Sequence, residues 1–371
     1  MNALQTPIEL LRPATIHFGS GQATQVGAFA RGKGHVRTLV VCDAFNAGRV
    51  GLLDLPGSPV IFGTVRPEPD IPNLADLLAL AEDTKPDLVV GFGGGSAMDL
   101  AKLAAVLPGS GQTIHDVVGP EKVAGKRAAL VQVPTTSGTG SEAGTRALVT
   151  DPASQNKLAI QSRYMLADLA VIDPDLTMTV PPSVTAATGV DALAHCAEAY
   201  TSRKAHPLID LYALEGIRLV GRFLGRAVRD GADKEARAGL ALASFYGGVC
   251  LGPVNTTAGH AVAYPLGTRH HIPHGLSCAL IFPHTLAFNA PAMAEKTELI
   301  LQALGISGGV AEAAYGFCTS LGIDMRLSRH GVPEVDLEAM ATEAHAIRRL
   351  LDNNPRDISR DEILSLYRAA F

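Results

Sequence analysis

Three apolar runs in the first half of the chain constrain the fold most: residues 37–42 (RTLVVC), 88–92 (LVVGF) and 128–133 (AALVQV). None alternates with polar residues as a half-exposed strand would, so each reads as a strand buried on both faces. Each also stops abruptly. The first ends at Asp43, the second runs into Gly93, Gly94, Gly95 and Ser96, and the third meets Pro134 and the stretch TTSGTGSE at 135–142. Leu74, Leu77, Leu78 and Leu80 give helical spacing over 71–82, and Met98, Leu100, Ala101 and Ala104 do the same from Ser96 to about residue 106. Shorter strands are expected at 15–18 and 58–62, a modest helix at 22–31, and further apolar runs at 157–160 and 165–172. Alternating buried strands and amphipathic helices predict an α/β domain with a mostly parallel, Rossmann-like sheet covered on both sides.

Pro181 and Pro182 mark a boundary, since neither suits a helix interior or a central strand. Beyond them strand signals nearly vanish. Helices are expected over 183–201, 207–228, 234–250, 291–304, 309–321, 337–348 and 359–371, the last opened by a capping box between Ser359 and Glu362. The reading is therefore a dinucleotide-binding α/β domain over residues 1–180 and an all-α metal-binding and substrate domain over 181–371. The long intervals between periodic segments near 251–289 are where a lined cleft is expected.

With 31 Lys plus Arg against 36 Asp plus Glu, the chain carries a formal charge of −5 and no long basic run, which argues against nucleic acid as a partner. Apolar residues make up 47% but are never continuous enough for a membrane span. The N-terminus lacks the charged start and apolar core of a signal peptide. Cys42, Cys196, Cys250, Cys278 and Cys318 are scattered, odd in number and mostly in apolar surroundings, which indicates reduced thiols and a cytoplasmic protein.

Asp191 and His195 sit four apart in a helical segment and so share one face. His260 and His274 lie in a region holding five of the chain's 12 histidines. One carboxylate and three imidazoles can close around a divalent ion and leave a position for substrate. The plainer reading is a set of satisfied core histidines, and spacing alone does not separate the two. The cofactor candidates are the strand-to-helix loops. Gly93, Gly94 and Gly95 can bring backbone close to a pyrophosphate, the helix after Ser96 supplies free N–H groups, and Thr135, Thr136, Ser137, Gly138, Thr139 and Gly140 could donate hydroxyl and backbone hydrogen bonds. The GxGxxG rule fits poorly, because the glycines come late and the acid about twenty residues on would be near Asp116. Asp43, at the end of a buried strand, is better placed to meet a ribose and to favour NAD over NADP; alternatively it only caps the following turn.

The motifs GGGSAMDLAK at 93–102, VPTTSGTGSE at 133–142, VIDPDLT at 171–177, TGVDALAHCAEAY at 188–200 and HGLSCALIFPH at 274–284 together resemble the iron-containing (group III) alcohol dehydrogenase family, related in fold to dehydroquinate synthase. The resemblance spans nearly the whole chain. It implies an NAD-dependent alcohol dehydrogenase that interconverts an alcohol with an aldehyde or ketone, a homodimer, and an active-site cleft between two domains. It also implies a catalytic ion, most characteristically Fe²⁺ with Zn²⁺ or another divalent metal as the alternative, held at Asp191, His195, His260 and His274. Carried over residue by residue, Asp43 would bind the ribose and Leu176 would flank the adenine or ribose. Many family members have a proton-handling histidine four residues after the third ligand; here that position is Tyr264, with His270 and His271 as local candidates for the role. Maleylacetate reductases form a related branch with a TTYAGSE-like loop and asparagine at the position of Asp191, and this chain departs from both. A maleylacetate reductase or hydroxyacid dehydrogenase is the alternative activity. No arginine clamp for a carboxylate is evident beyond the candidates Arg163 and Arg269.

Overall fold

The computed structural model describes residues 3–154 and 156–371, so Met1, Asn2 and Gln155 lie outside it. The described residues divide into two compact units: residues 11–136 with 140–177, and residues 178–371 with 3–10 and 137–139.

The first unit is built on a six-stranded parallel sheet. Its strands are β1 (Thr15–Phe18), β2 (Thr38–Val41), β3 (Val60–Phe62), β4 (Leu88–Gly93), β6 (Ala129–Pro134) and β9 (Leu169–Ile172), in the spatial order β1-β9-β6-β4-β2-β3. Every residue of β2, β4 and β9 is buried, whereas the edge strands β1 and β3 are partly exposed, which is why the central strands read as unbroken apolar runs. Helices α1 (Gln25–Lys33), α2 (Ala44–Ala47), α3 (Ile71–Thr84) and α4 (Gly95–Ala104) connect the strands. From β2 the chain goes outward to β3, then returns past β2 to β4 and continues the other way. The strand order therefore reverses between β2 and β4, the crevice in which open α/β sheets hold ligands at their carboxyl ends. Asp43 lies just past β2, and Gly94 just past β4.

A second sheet, β5 (Gly119–Pro120), β8 (Asn156–Gln161) and β7 (Arg146–Asp151), was not fully anticipated. β7 and β8 form an antiparallel pair. In β7 only Ala147 and Val149 are fully buried, too short an alternation to stand out. The apolar run expected over 165–172 is likewise shorter than expected: residues 163–165 form a 3₁₀ turn and the strand begins at Leu169.

The second unit is helical: α5 (Pro182–Thr201), α6 (Pro207–Arg229), α7 (Lys234–Leu251), α8 (Ala258–His270), α9 (His274–Asn289), α10 (Ala294–Leu304), α11 (Val310–Ser320), α12 (Leu337–Ala346), α13 (Arg348–Leu351) and α14 (Arg360–Ala370). Helix α5 is central, packed by α6, α7 and α9, and all its residues from Gly189 to Thr201 are buried. The capping box at Ser359 and Glu362 is present. Ile347 breaks the helix expected over 337–348 into α12 and α13.

The intervals left between the expected helices at 251–289 are mostly occupied by α8 and α9. Both lack an amphipathic stripe because residues 258–266 and 277–283 are buried on every side. Each also contains a proline, Pro265 and Pro283, whose missing N–H argues locally against a helix interior. The surrounding helices override that local preference. Among the described residues no helix is long and apolar enough to cross a membrane.

Candidate metal centre and nucleotide-binding edge

Asp191 and His195 lie one turn apart on α5, His260 is in the first turn of α8, and His274 opens α9. These three helices belong to one unit and bring the four side chains together, with one ligand atom from each lying within 4.8 Å of all the others. Asp191 Oδ1 is 3.7 Å from His195 Nε2, 3.5 Å from His260 Nε2 and 3.7 Å from His274 Nε2. A four-coordinate ion with bonds of about 2.0–2.2 Å separates its ligands by about 3.3–3.6 Å, close to these values.

The hydrogen bonds behind the rings set which nitrogen faces inward. His195 Nδ1 lies 3.3 Å from the carbonyl oxygen of Gly138, which only accepts, so Nδ1 carries the proton and Nε2 is bare. His260 Nδ1 is 2.6 Å from Glu198 Oε1, with the same result. Asp191 Oδ1 and His260 Nε2 are then buried atoms with no hydrogen-bond partner. Two lone pairs facing each other in a dry interior, each costing about 1–3 kcal/mol if left unmet, fit a cation between them. Burial opposes ionisation of Asp191, but His195, His274 and His260 outweigh it and hold the carboxyl well below its usual range. Burial pushes the His195 imidazole down to about 4 against the pull of Asp191, so the ring is neutral. Imidazole and carboxylate donors suit Fe²⁺ and Zn²⁺ alike.

Glu198 escaped the sequence reading. It lies seven residues beyond Asp191 and three beyond His195, a spacing that keeps all three on one helix face and could have revealed it. Tyr264 lies one turn after His260, its ring 5.9 Å from that of His274, and its hydroxyl accepts from Arg349 Nη2 at 3.3 Å. His270 faces Asp336 at 3.5 Å and His271 is the exposed left-handed cap of α8; neither joins the four-residue cluster. Arg163 pairs with Glu121 at 3.3 Å and Arg269 with Glu343 at 2.7 Å. The guanidinium of Arg349 has no carboxylate partner among the described residues.

In the α/β unit, Gly94 is the N-cap of α4 and offers no side chain, leaving the first N–H groups of that helix without intrahelical partners. A Cβ on Gly94 would stand 3.4 Å from Thr136 Oγ1, so a side chain there would crowd the loop. Ser96 is half-buried in the first turn of α4. Thr135 is buried, and its N–H donates to the Gly93 carbonyl at 3.0 Å. These features fit a pyrophosphate at the strand ends.

Asp43 does cap the following helix. Its Oδ1 accepts from Asn46 N at 2.9 Å and its Oδ2 from Asn46 Nδ2 at 2.8 Å. Arg49 continues the chain of hydrogen bonds, donating to Asn46 Oδ1 at 3.1 Å and to the Leu176 carbonyl at 3.2 Å. An ionised carboxylate has about four acceptor positions, so Asp43 keeps capacity for a hydroxyl. The Leu176 side chain packs into the apolar core beside Cys42, Val50 and Leu53. Thr139 falls with the helical unit rather than with Thr135 and Thr136.

The iron-containing alcohol dehydrogenase family matches residues 13–174, and the C-terminal part of the Fe-containing alcohol dehydrogenase family matches residues 185–371. The long-chain-alcohol dehydrogenase 1 of Geobacillus thermodenitrificans is 37% identical over 97% of this chain and 95% of its own. The crystal structure of a 1,3-propanediol oxidoreductase superposes with a TM-score of 0.92 at 31% identity, covering 99% of this chain and 100% of that one. That of the sulfoacetaldehyde reductase from Bifidobacterium kashiwanohense, in complex with NAD⁺, gives 0.89 at 28% identity over 98% and 99%. The fold and the buried Asp/His cluster define a metal-binding oxidoreductase, and the chain belongs to the iron-containing alcohol dehydrogenase family.

Proposed function

We propose that this chain is an NAD-linked, divalent-metal-dependent alcohol dehydrogenase that interconverts a small alcohol with its aldehyde or ketone. The observation that carries the reading is Asp191 Oδ1 ringed by three imidazole Nε2 atoms at 3.5–3.7 Å. When bound there, a divalent ion supplies Lewis acidity toward the reacting oxygen. Asp191 contributes the one negative charge of the set, and His195, His260 and His274 contribute neutral donors, two of them with their protons tied up on the far side. Tyr264, in hydrogen-bond contact with Arg349, is proposed to orient the substrate; its phenol, ordinarily with a pKa of roughly 10, is a poorer proton buffer near neutrality than the histidine of many relatives.

Gly94, Gly95 and Ser96 are proposed to hold the pyrophosphate of NAD, with Thr135, Thr136 and Thr139 hydrogen-bonding along the same ligand. Asp43, fixed by Asn46, is proposed to accept from a ribose hydroxyl and to repel a 2′-phosphate. The main chain near Leu176 would border the adenosine side. Residues 1–180 and 181–371 serve as the nucleotide-binding and the metal and substrate domains in this reading. A homodimer is proposed from the family resemblance, and a reducing, cytoplasmic setting from five buried free thiols. An NADH-oxidation screen over neutral and acidic aldehydes, run on metal-stripped and Fe²⁺- or Zn²⁺-loaded protein, tests the reading; turnover independent of metal would reject it.

One observation favours a second reading, in which the substrate carries an anionic group, as in a hydroxy acid. The guanidinium of Arg349, without a carboxylate partner among the described residues, contacts Tyr264, and Tyr264 borders His274. Arg349 takes the place that Arg163 and Arg269, both engaged with acids, do not fill. The sulfoacetaldehyde reductase among the relatives is named for an anionic aldehyde.

A further inference from the structure

We infer that Glu198 is a positioning residue that sets the metal affinity of the site through His260, and that Gly259 is glycine to let it do so. The inference rests on the metal-centre reading above.

The Glu198 carboxylate is buried on α5 and accepts from four donors of a single segment. Oε1 takes His260 Nδ1 at 2.6 Å, while Oε2 takes Thr257 N at 2.6 Å, Thr257 Oγ1 at 3.0 Å and His260 N at 3.3 Å. Thr257 is the N-cap of α8, yet its own side chain makes no capping bond. Glu198 supplies the cap instead, from a different helix, by meeting two backbone N–H groups at the start of α8. The same carboxylate therefore fixes the backbone that carries His260 and the tautomer of its ring. An acceptor-only oxygen at Nδ1 leaves Nε2 as a bare lone pair, and that atom is the buried, unpartnered one aimed at Asp191 Oδ1.

Gly259 provides an independent sign of how closely the carboxylate approaches. A Cβ there would stand 2.5 Å from Glu198 Oε1 and 2.9 Å from Cδ. The carboxylate cannot swing aside without giving up several of its four hydrogen bonds, so an alanine at 259 would push it off His260 without altering any charge. Glu198→Gln acts on the tautomer. Whichever way the amide turns, its NH₂ must face either the backbone donors of α8 or His260 Nδ1; the second arrangement favours the proton on Nε2, where it blocks ligation.

The test is the dissociation constant of Co²⁺ and Zn²⁺ for the full chain by chelator competition, with the visible Co²⁺ spectrum as a readout of ligand geometry. The far-UV dichroism and melting of each metal-free protein are followed alongside. Loss of a hydrogen bond behind a ligating histidine weakens metal binding by about 10–100-fold. Glu198→Gln and Gly259→Ala are expected to show that loss and an altered Co²⁺ spectrum at a temperature where the metal-free proteins remain folded. A role confined to capping α8 would lower the melting temperature and leave affinity and spectrum unchanged, and that result in a folded variant overturns the inference. Should Glu198→Gln fail to fold, the charge-neutral Gly259→Ala decides alone, with Thr257→Val, which removes only one hydroxyl donor and leaves the His260 contact in place, as the mild control expected to stay short of about a ten-fold loss. Absence of metal binding by the unaltered protein would instead reject the underlying functional reading.

Discussion

The imidazole rings of His195 and His260 stack, with centroids 4.6 Å apart and planes 21° from parallel. Two imidazolium cations that close would repel; burial keeps the His195 ring neutral, so the stack avoids that repulsion and both Nε2 atoms lie toward Asp191. The stack is thus a preformed half of the donor set, held by Gly138 on one ring and Glu198 on the other. Replacing His260 by alanine removes a donor and the stacking partner together. Steady-state aldehyde reduction should fall by at least about ten-fold at saturating metal, while NADH binding, followed by fluorescence, should survive because its proposed contacts, Thr139 apart, lie in the α/β unit. Unchanged turnover would remove His260 from the site.

Asp43 offers a test of cofactor choice. Asp43→Gly removes the proposed ribose acceptor and the negative charge that would meet a 2′-phosphate, and it also releases Asn46. The ratio of kcat/KM for NADH to that for NADPH should drop by about ten-fold or more, the worth of one charge-assisted hydrogen bond. An unchanged ratio would leave Asp43 only its helix-capping role.

Arg349 separates the two substrate readings. If it meets an anionic group, Arg349→Met should lower kcat/KM for aldehydes bearing a carboxylate or sulfonate by about 10–100-fold, since hydrogen bonds to charged groups contribute about 1.5–3 kcal/mol. Neutral aldehydes of matched length should be affected much less. Equal losses on both series would assign Arg349 to supporting Tyr264 alone.

Glu142 makes stability depend on pH. Burial pushes its carboxyl up to about 7, with Lys102 pulling the other way, and Oε2 has no hydrogen-bond partner. Between the ordinary 4.5 and about 7 this carboxyl holds more protons in the folded protein than in the unfolded chain, so its contribution to stability falls as pH rises through that window and levels off above it. The loss should be on the order of 1–3 kcal/mol. Glu142→Gln should remove this contribution, read as the wild-type-minus-variant difference in urea unfolding free energy of the metal-free protein at a series of pH values. A wild-type-minus-variant difference that rises from pH 5 to 7 would contradict the sign; His195, pushed down to about 4, tilts the total the other way in both proteins and cancels in the difference.

Much of the site could be read from the chain because its chemistry is local. Asp191 and His195 announce themselves by a spacing of four, and the ends of β2 and β4 by an acid at Asp43 and a glycine run from Gly93 to Gly95. The helices that carry His260 and His274 were hidden, since Pro265 and Pro283 mimic breaks and burial on all sides erases periodicity. Arg349 was invisible for another reason: its contact with Tyr264 joins residues 85 apart, and no local pattern reports such a meeting. Asn46, which holds both oxygens of Asp43, carries no signal in the sequence beyond its place three residues after that acid. Glu198 is the instructive miss, because its helical spacing was available and its partner, the N-terminus of α8, was not.

The central claim is that Asp191, His195, His260 and His274 hold one divalent ion on which turnover depends. Metal content per chain, measured on purified protein before and after chelation and set against NADH-dependent aldehyde reduction, tests it most directly. The account predicts one ion per chain, loss of activity on its removal, recovery with Fe²⁺ or Zn²⁺, and no recovery in Asp191→Asn. Full activity in protein stripped of metal would contradict it.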